Sequence, residues 1–312
     1  MMRCWLAAAV ALLLAAPAHS AGSWGPGSLD QLGNMQSRHA DPRKVTVWLP
    51  DDYDPKGPPY AVLYMHDGQN LFDKATAGYG MEWKVDEVVD RLVRDGRMRR
   101  TIIVGIWNTP KRLRDYVPSK AFTHLLPKYM DRVRGLYGGD PLSDGYLKFI
   151  ARELKPRIDK RYNVATDRAN TVIMGSSMGA LISLYAINEY PDIFGGAGMV
   201  STHWPLFLPT EGKSISDAEY EIVSGAFERY LRPSLVGPRS HRLYFDHGSE
   251  TLDRNYARYQ ERIDRIVEAR GYRRNVNWIS RNFPGAAHNE DSWAERVEIP
   301  LRFLLPPPKG RT

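Results

Sequence analysis

Residues 171–187 read Thr-Val-Ile-Met-Gly-Ser-Ser-Met-Gly-Ala-Leu-Ile-Ser-Leu-Tyr-Ala-Ile. Asn170 to Met174 reads as a strand, with Thr171 to Met174 the apolar and β-branched stretch that a buried strand requires. Ser177 to Glu189 is rich in Met, Ala, Leu and Ile, as a packed helix requires. Between them stands Gly175-Ser176-Ser177-Met178-Gly179, a Gly-x-Ser-x-Gly pentapeptide. Alone that pattern is common. Between a strand and a helix it is the setting of a nucleophile elbow, in which a strained turn exposes the central serine. Register selects Ser177 over Ser176, and the glycines remove side chains that would clash. The helix that follows aims its N-terminus at the region where an oxyanion would form.

Working outward, the same alternation recurs along the chain. Lys44–Leu49, Tyr60–Met65, Thr101–Trp107, Ala197–Val200, Arg242–Asp246 and Asn275–Ile279 read as strands. Glu82–Arg94, Ser143–Arg161, Leu252–Ala269 and Ser292–Leu305 read as helices. This order predicts an α/β fold with a mostly parallel central sheet covered by helices on both faces. Residues 23–41 read as a polar lead-in. Residues 108–141 and 203–237 read as long irregular insertions over the strand ends, where open α/β sheets place their sites. There is no internal repeat or low-complexity segment.

A serine hydroxyl needs a base to take its proton. In the elbow fold the partners follow in the order serine, acid, histidine. Four histidines follow Ser177: His203, His241, His247 and His288. Only His288 comes after the last strand, on a Gly-Ala-Ala turn before the final helix, so it is the expected base. The acid is expected after strand 242–246, where Asp246, Glu250 and Asp253 compete. Asp253 and Glu250 are the main candidates; Asp246 ends the strand and fits a turn-tying role. The oxyanion hole needs two backbone N–H groups. Met178 supplies one. The turn His66-Asp67-Gly68-Gln69-Asn70 follows an early strand, and Gln69 N–H is the expected second donor. Asp67, Gly68, Trp107, His203 and Trp204 are the candidate substrate-binding residues. Trp107, Tyr116, Trp204 and Trp293 fall in or beside the long loops. Their rings suit a sugar, a phenolic acyl group or an aryl siderophore, or simply pack beneath those loops.

Met1–Ser20 stand apart. Arg3 precedes a 13-residue apolar run, Cys4–Ala16, and Ala18 and Ser20 fit a signal-peptidase site. The run is shorter than the roughly 20 residues of a spanning helix. Residues 1–20 are therefore expected to be a signal peptide and residues 21–312 one domain. The single cysteine, Cys4, would leave with the signal, so the mature chain would have neither disulfide nor thiol nucleophile. A bacterial periplasmic or secreted location is expected, with no stable membrane anchor after cleavage.

The remaining composition narrows function by exclusion. The 312 residues are 43% hydrophobic and 25% charged, which excludes a disordered or fibrous chain. The net charge of +7 is spread among acids, the densest cluster being Arg94–Arg100, so a nucleic-acid partner is not expected. No zinc-type His/Glu spacing or phosphate loop is present, so neither metal nor cofactor is expected.

The stretches VTVWLPDDYD, YAVLYMHDGQNLFD, IIVGIWNTPKRLRDY, YLKFIARELKPRIDKRYNV, VIMGSSMGALISLYA, STHWP, LYFDHGSETLD and FPGAAHNEDSW span residues 45–293. In that order the chain resembles the putative-esterase family of α/β-hydrolases, with its enterochelin esterases, feruloyl esterases and esterase D-like enzymes. The resemblance implies the α/β-hydrolase fold and hydrolysis of a small or sugar- or siderophore-linked carboxylic ester through an acyl-serine, with Ser177 and His288 at the matching positions. The acid matches more loosely and leaves Asp253 and Glu250 both open. Acyl transfer to a carbohydrate or lipid alcohol, or a non-catalytic binding module, are the alternative readings.

Overall fold

The computed structural model describes residues 25–207 and 215–308. The expected signal peptide lies outside them. Eight strands form one sheet: β1 Ser28–Met35, β2 Arg43–Leu49, β3 Ala61–His66, β4 Thr101–Ile106, β5 Thr171–Ser176, β6 Gly196–Val200, β7 Arg242–His247 and β8 Trp278–Asn282. Their spatial order is β1-β2-β4-β3-β5-β6-β7-β8. The β1–β2 and β2–β4 pairs are antiparallel, and every pair from β4 through β8 is parallel. The expected mostly parallel sheet is therefore present.

Strand β3 explains how both faces are covered. All six of its residues are buried. Val62 and Tyr64 pack into one apolar cluster, and Ala61, Leu63 and Met65 into the other. The two-residue period of a strand makes a continuous apolar run feed two cores at once. The first core includes Leu181, Ile182 and Tyr185 of the helix after β5. The second includes Val85, Val89 and Leu92 and, from the C-terminal helix, Leu301 and Leu304.

Several boundaries differ from the sequence reading, each for a physical reason. Residues 28–35, read as lead-in, form β1. Half of these residues are exposed, Leu29, Leu32 and Met35 pack inward, and the backbone pairs with the free edge of β2. The register shifts between Gln31 and Gly33, and Gly33 adopts φ +71°, which marks a bulge. The insertion 108–141 carries three helices, α2 Arg112–Tyr116, α3 Ser119–Phe122 and α4 Pro127–Tyr137, after α1 Val85–Arg94. Helix 143–161 is not continuous. It runs as α5 Ser143–Phe149, a π-turn Ile150–Leu154, and α6 Lys155–Arg161. Pro156, near the start of α6, has no N–H to offer the preceding turn, and the wider π-turn accommodates that loss.

Helix α7, Met178–Glu189, follows the elbow as expected. The second insertion holds an 18-residue helix, α8 Asp217–Ser234. Ser216 and Glu219 form a reciprocal capping box at its start. Helix 252–269 begins as a 3₁₀ turn, Thr251–Asn255, and continues as α9 Ala257–Ala269. The last strand starts at Trp278, not Asn275, because Asn275 sits at φ +60° in the preceding turn. The final helical stretch divides into α10 Glu290–Ala294 and α11 Glu298–Leu304, with Pro300 tolerated in the first turn of α11.

Beneath the insertion, Arg43 and Asp115 form a buried ion pair at 3.2 Å with side-chain exposures of 0% and 3%. The guanidinium also lies 4.5 Å from the Tyr146 ring centroid. This pair ties α2 to β2. Asp115→Ala leaves the guanidinium buried without its counter-charge, so unfolding free energy in urea is expected to fall by about 3–5 kcal/mol. An unchanged urea midpoint would show that the pair does not hold the insertion.

Candidate active site

The C-terminal ends of six parallel strands, β3 to β8, meet at one cavity of about 820 Å³. Ser177, Met178, Gln69, His203 and His288 all line it, as do Asp67 and Trp293. Residues far apart in the chain thus share one solvent-accessible space.

Ser177 adopts φ 57° and ψ −120°, a conformation that costs a non-glycine residue about 1–3 kcal/mol. The turn can be this tight because of its glycines. A Cβ on Gly175 would stand 2.8 Å from the Gly179 carbonyl oxygen. A Cβ on Gly179 would stand 3.3 Å from that of His66. Ser177 N–H donates to the Val200 carbonyl at 2.9 Å, which fixes the turn to β6. Met178 opens α7, where the first N–H groups have no partner within the helix.

Asp253 is 1% exposed and lies beside His288. The His288 Nδ1 to Asp253 Oδ1 distance is 2.5 Å. The other carboxylate oxygen accepts from Ser201 Oγ at 2.6 Å and from Gly248 N–H at 2.5 Å. Burial alone would raise the Asp253 pKa. The bond and charge of His288, with the bonds from Ser201 and Gly248, outweigh it and hold the group below the ordinary value.

The loops that carry this pair are stitched together. Ser249 and Glu250 N–H groups both donate to the Ala286 carbonyl, at 3.1 and 3.0 Å. His288 N–H donates to Thr251 Oγ1 at 2.8 Å, and Gly285 N–H to Ser249 Oγ at 2.8 Å. Gly248 admits no side chain, since a Cβ there would lie 2.1 Å from the Ala286 oxygen.

The other acid candidates are engaged elsewhere. Glu250 is exposed, and its carboxylate accepts from its neighbour Ser249, whereas the carboxylate at His288 is that of Asp253. Asp246 is fully buried and takes Arg296 Nη2 at 3.1 Å, Tyr244 OH at 2.8 Å and Ser201 N–H at 3.2 Å.

Three substrate-binding candidates lie off the cavity wall. Gly68 is pressed against the chain at Gly105, where a Cβ would meet the carbonyl carbon at 2.5 Å; its role is close backbone packing. Trp107 turns back onto β2, donating to Thr46 Oγ1 at 3.1 Å beneath the Lys44 ammonium. Trp204 is 1% exposed, donates to Gln260 Oε1 at 3.1 Å and packs on Phe227 and Phe245. Apolar burial in the core outcompetes the loop position for this ring. Tyr116 is likewise fully buried, whereas Trp293 does line the cavity.

His203 is on the wall. Its Nδ1 meets Tyr256 OH at 2.7 Å. Burial first, then the charges of His288 and Arg112, lower its pKa to about 3, so it is a neutral imidazole at ordinary pH. His66 points inward to Tyr146 OH at 2.7 Å, and burial lowers its pKa to about 3 as well.

Other site residues carried no sequence signal. Ser201 Oγ also accepts from Trp293 Nε1 at 3.0 Å and from Arg296 Nη2 at 2.9 Å. Asn70 donates to Glu290 at 2.8 Å, and Arg112 pairs with Asp67. Only the three-dimensional approach of separate loops creates these contacts. Among the described residues no group of three His, Asp or Glu side chains is placed to hold a metal ion.

The family model described as Putative esterase matches residues 37–299. The uncharacterized protein YbbA of Bacillus subtilis (strain 168) is 27% identical over 279 residues, 87% of this chain and 96% of that protein. Ferri-bacillibactin esterase BesA of the same organism is 27% identical over 179 residues, 54% of this chain and 58% of its own. Among solved structures, a ferulic acid esterase superposes with TM-score 0.59 at 19% identity, over 90% of this chain and 99% of its own. The enterobactin esterase FES from Shigella flexneri gives 0.59 at 15%, over 89% and 59%. The fold, the sheet order and the match across most of its length make this chain a member of the putative-esterase family of α/β-hydrolases, and hence a carboxylic ester hydrolase.

Proposed function

We propose that the protein hydrolyses small-molecule carboxylic esters through an acyl-enzyme formed on Ser177. In this reading Ser177 Oγ attacks the ester carbonyl carbon while His288 Nε2 takes the hydroxyl proton. Asp253, bonded to Nδ1–H, keeps the lone pair on Nε2 and stabilises the imidazolium that forms. Met178 and Gln69 N–H groups hold the negative oxygen. The tetrahedral species collapses, and the C–O bond to the alcohol breaks as that oxygen receives the proton from His288. Water then repeats the sequence, its proton passing through His288 back to Ser177, and the acid departs.

The observation that carries this reading is the 2.5 Å contact between His288 and a buried carboxylate, on the same cavity wall as a serine held at positive φ. A general base needs a neighbour that fixes its tautomer, and a nucleophile needs a turn that exposes it.

The cavity mouth favours an ester with an apolar or aromatic part. Tyr79, Leu113 and Leu136 are 81%, 37% and 55% exposed, and all three line it. Large exposed apolar groups gathered at one opening mark a binding surface. Asn70, Asn108 and Glu290 line it too and offer polar contacts to a hydroxylated part. The name of the ferulic acid esterases fits an ester with an aromatic acyl part. Residues 1–20 are read as an export signal that delivers residues 21–312 as one unit to the bacterial periplasm or exterior.

Ser177→Ala is expected to reduce hydrolysis of p-nitrophenyl acetate to the uncatalysed background and to abolish labelling by a fluorophosphonate probe, with the fold unchanged by circular dichroism. Full activity in that variant refutes the assignment. Asp253→Asn is expected to lower kcat by about 10³–10⁴-fold. Glu250→Gln should leave kcat within about twofold, as an exposed substitution does; equal losses in both variants would return the acid role to Glu250.

Acid should also weaken the fold. His66 and His203 are held neutral down to about pH 3, whereas an unfolded imidazole binds a proton near pH 6.5. Between those values the unfolded state binds more protons, so their contribution is present above pH 6.5 and is lost as pH falls toward 3. Urea midpoints should drop from pH 7 to pH 4, and less so in His66→Asn. An equal drop in that variant would remove His66 from the account.

A further inference from the structure

Arg112 and Asp67 form a doubly bonded ion pair in the cavity wall that the steps above leave without a role. The pair lies one turn away from Gln69. Asp67 sits at φ 56° and ψ 48°, between β3 and the 3₁₀ turn Gly68–Asn70. Aspartate is among the few non-glycine residues that tolerate this left-handed conformation, and here its surroundings hold it there. The surroundings here are specific. Arg112 Nε donates to Oδ1 and Nη2 to Oδ2, both at 2.7 Å. Asn108 Nδ2 donates to Oδ1 at 2.6 Å. Asp67 N–H donates to Tyr116 OH at 3.3 Å. Asn108 N–H donates to Gln69 Oε1 at 3.3 Å, and Gly68 packs on Gly105.

Every one of these restraints comes from residues 105–116, and that segment is itself anchored. Asp115, at the other end of α2, is tied to the buried Arg43. The two-point fork of a guanidinium fixes orientation as well as distance. Burial raises the Asp67 pKa, but the Arg112 charge and bonds together with Asn108 outweigh it, so the pair is ionised at working pH.

We propose that Asp67 and Arg112 are positioning residues that lock the 67–69 turn and thereby aim the Gln69 N–H at the oxyanion. Neither touches the reacting atoms. The proposal rests on Gln69 N–H being an oxyanion donor. A donor that must reorganise during the reaction contributes little, whereas one fixed beforehand acts in the transition state alone. The clamp therefore governs kcat and leaves ground-state binding unchanged.

The test is steady-state kinetics on p-nitrophenyl butyrate with the full chain. Arg112→Met keeps the alkyl stem and removes the fork; kcat is expected to fall by up to about 10²–10³-fold, the scale of losing one oxyanion donor, with KM steady. Inhibition by phenylboronic acid, which places a tetrahedral oxygen in the hole, should weaken in parallel. Arg112→Lys restores the charge without the fork and should recover activity only in part. Asp67→Asn, isosteric and able to fold if Arg112→Met is not, should show the same split of kcat from KM. A rise in KM at constant kcat would mean that Arg112 binds substrate directly, and unchanged kinetics would mean that the turn holds itself; either overturns the proposal. Activity surviving in Ser177→Ala would instead strike the underlying hydrolytic reading, so the two failures are separable.

Discussion

A carboxylate shut away from water must find its hydrogen bonds within the protein, and Asp253 does so across three strand ends. It takes a hydroxyl from the residue after β6, a backbone N–H from the loop after β7, and the imidazole from the loop after β8. Removing any of these donors leaves a buried charge short of partners, which is more costly than the lost bond itself. The carboxylate thus fixes the relative position of loops that have no regular structure of their own. The backbone bonds to the Ala286 carbonyl extend the same seam.

The residues around that seam repeat the principle. Ser201 donates to Asp253 and accepts from Trp293 and Arg296, and Arg296 in turn neutralises Asp246. The hydroxyl thus serves Asp253, the guanidinium serves Asp246, and the bond from Arg296 to the Ser201 hydroxyl links the two buried acids. Such a network is strong when every member is satisfied and costly when one is missing. It leaves His288 against the faces of Tyr256 and Trp293, with ring centroids 5.7 and 5.1 Å away at near-perpendicular angles. The imidazole therefore has few orientations available.

The opposite side of the cavity uses a different device. The parallel strands bring β3 and β5 side by side, so the 67–69 turn and the Ser177 elbow emerge next to each other. Both contain a non-glycine residue at positive φ. Strain of that kind persists only where the rest of the molecule over-determines the backbone. For Ser177 the glycines at 175 and 179 and the bond to Val200 supply the determination; for Asp67 the segment 105–116 does.

Much of this was legible from local pattern. Apolar runs such as YAVLYM and TVIM, broken by helical spacings, establish a parallel sheet because only burial on both faces calls for such runs. Ser177 and His288 stand out because turn chemistry and chain order are one-dimensional properties. The capping box at Ser216 and Glu219 marks α8 inside the stretch 203–237, which reads as irregular from sequence alone. Other features have no one-dimensional trace. Strand β1 is largely polar and depends on the edge that β2 offers it. Trp204 and Trp107 occupy loop positions, yet their rings are drawn to core and sheet. Asp253 and Glu250 are indistinguishable as letters three apart; one reaches the imidazole and the other faces solvent because the 3₁₀ turn at 251–255 rotates them to different sides. Local sequence determines which elements form and where a turn is strained, since those depend on neighbours in the chain. The Asp253–His288 contact, the Arg112–Asp67 pair and the Ser201 network required the tertiary structure, because they depend on which distant loops the sheet brings within hydrogen-bonding reach.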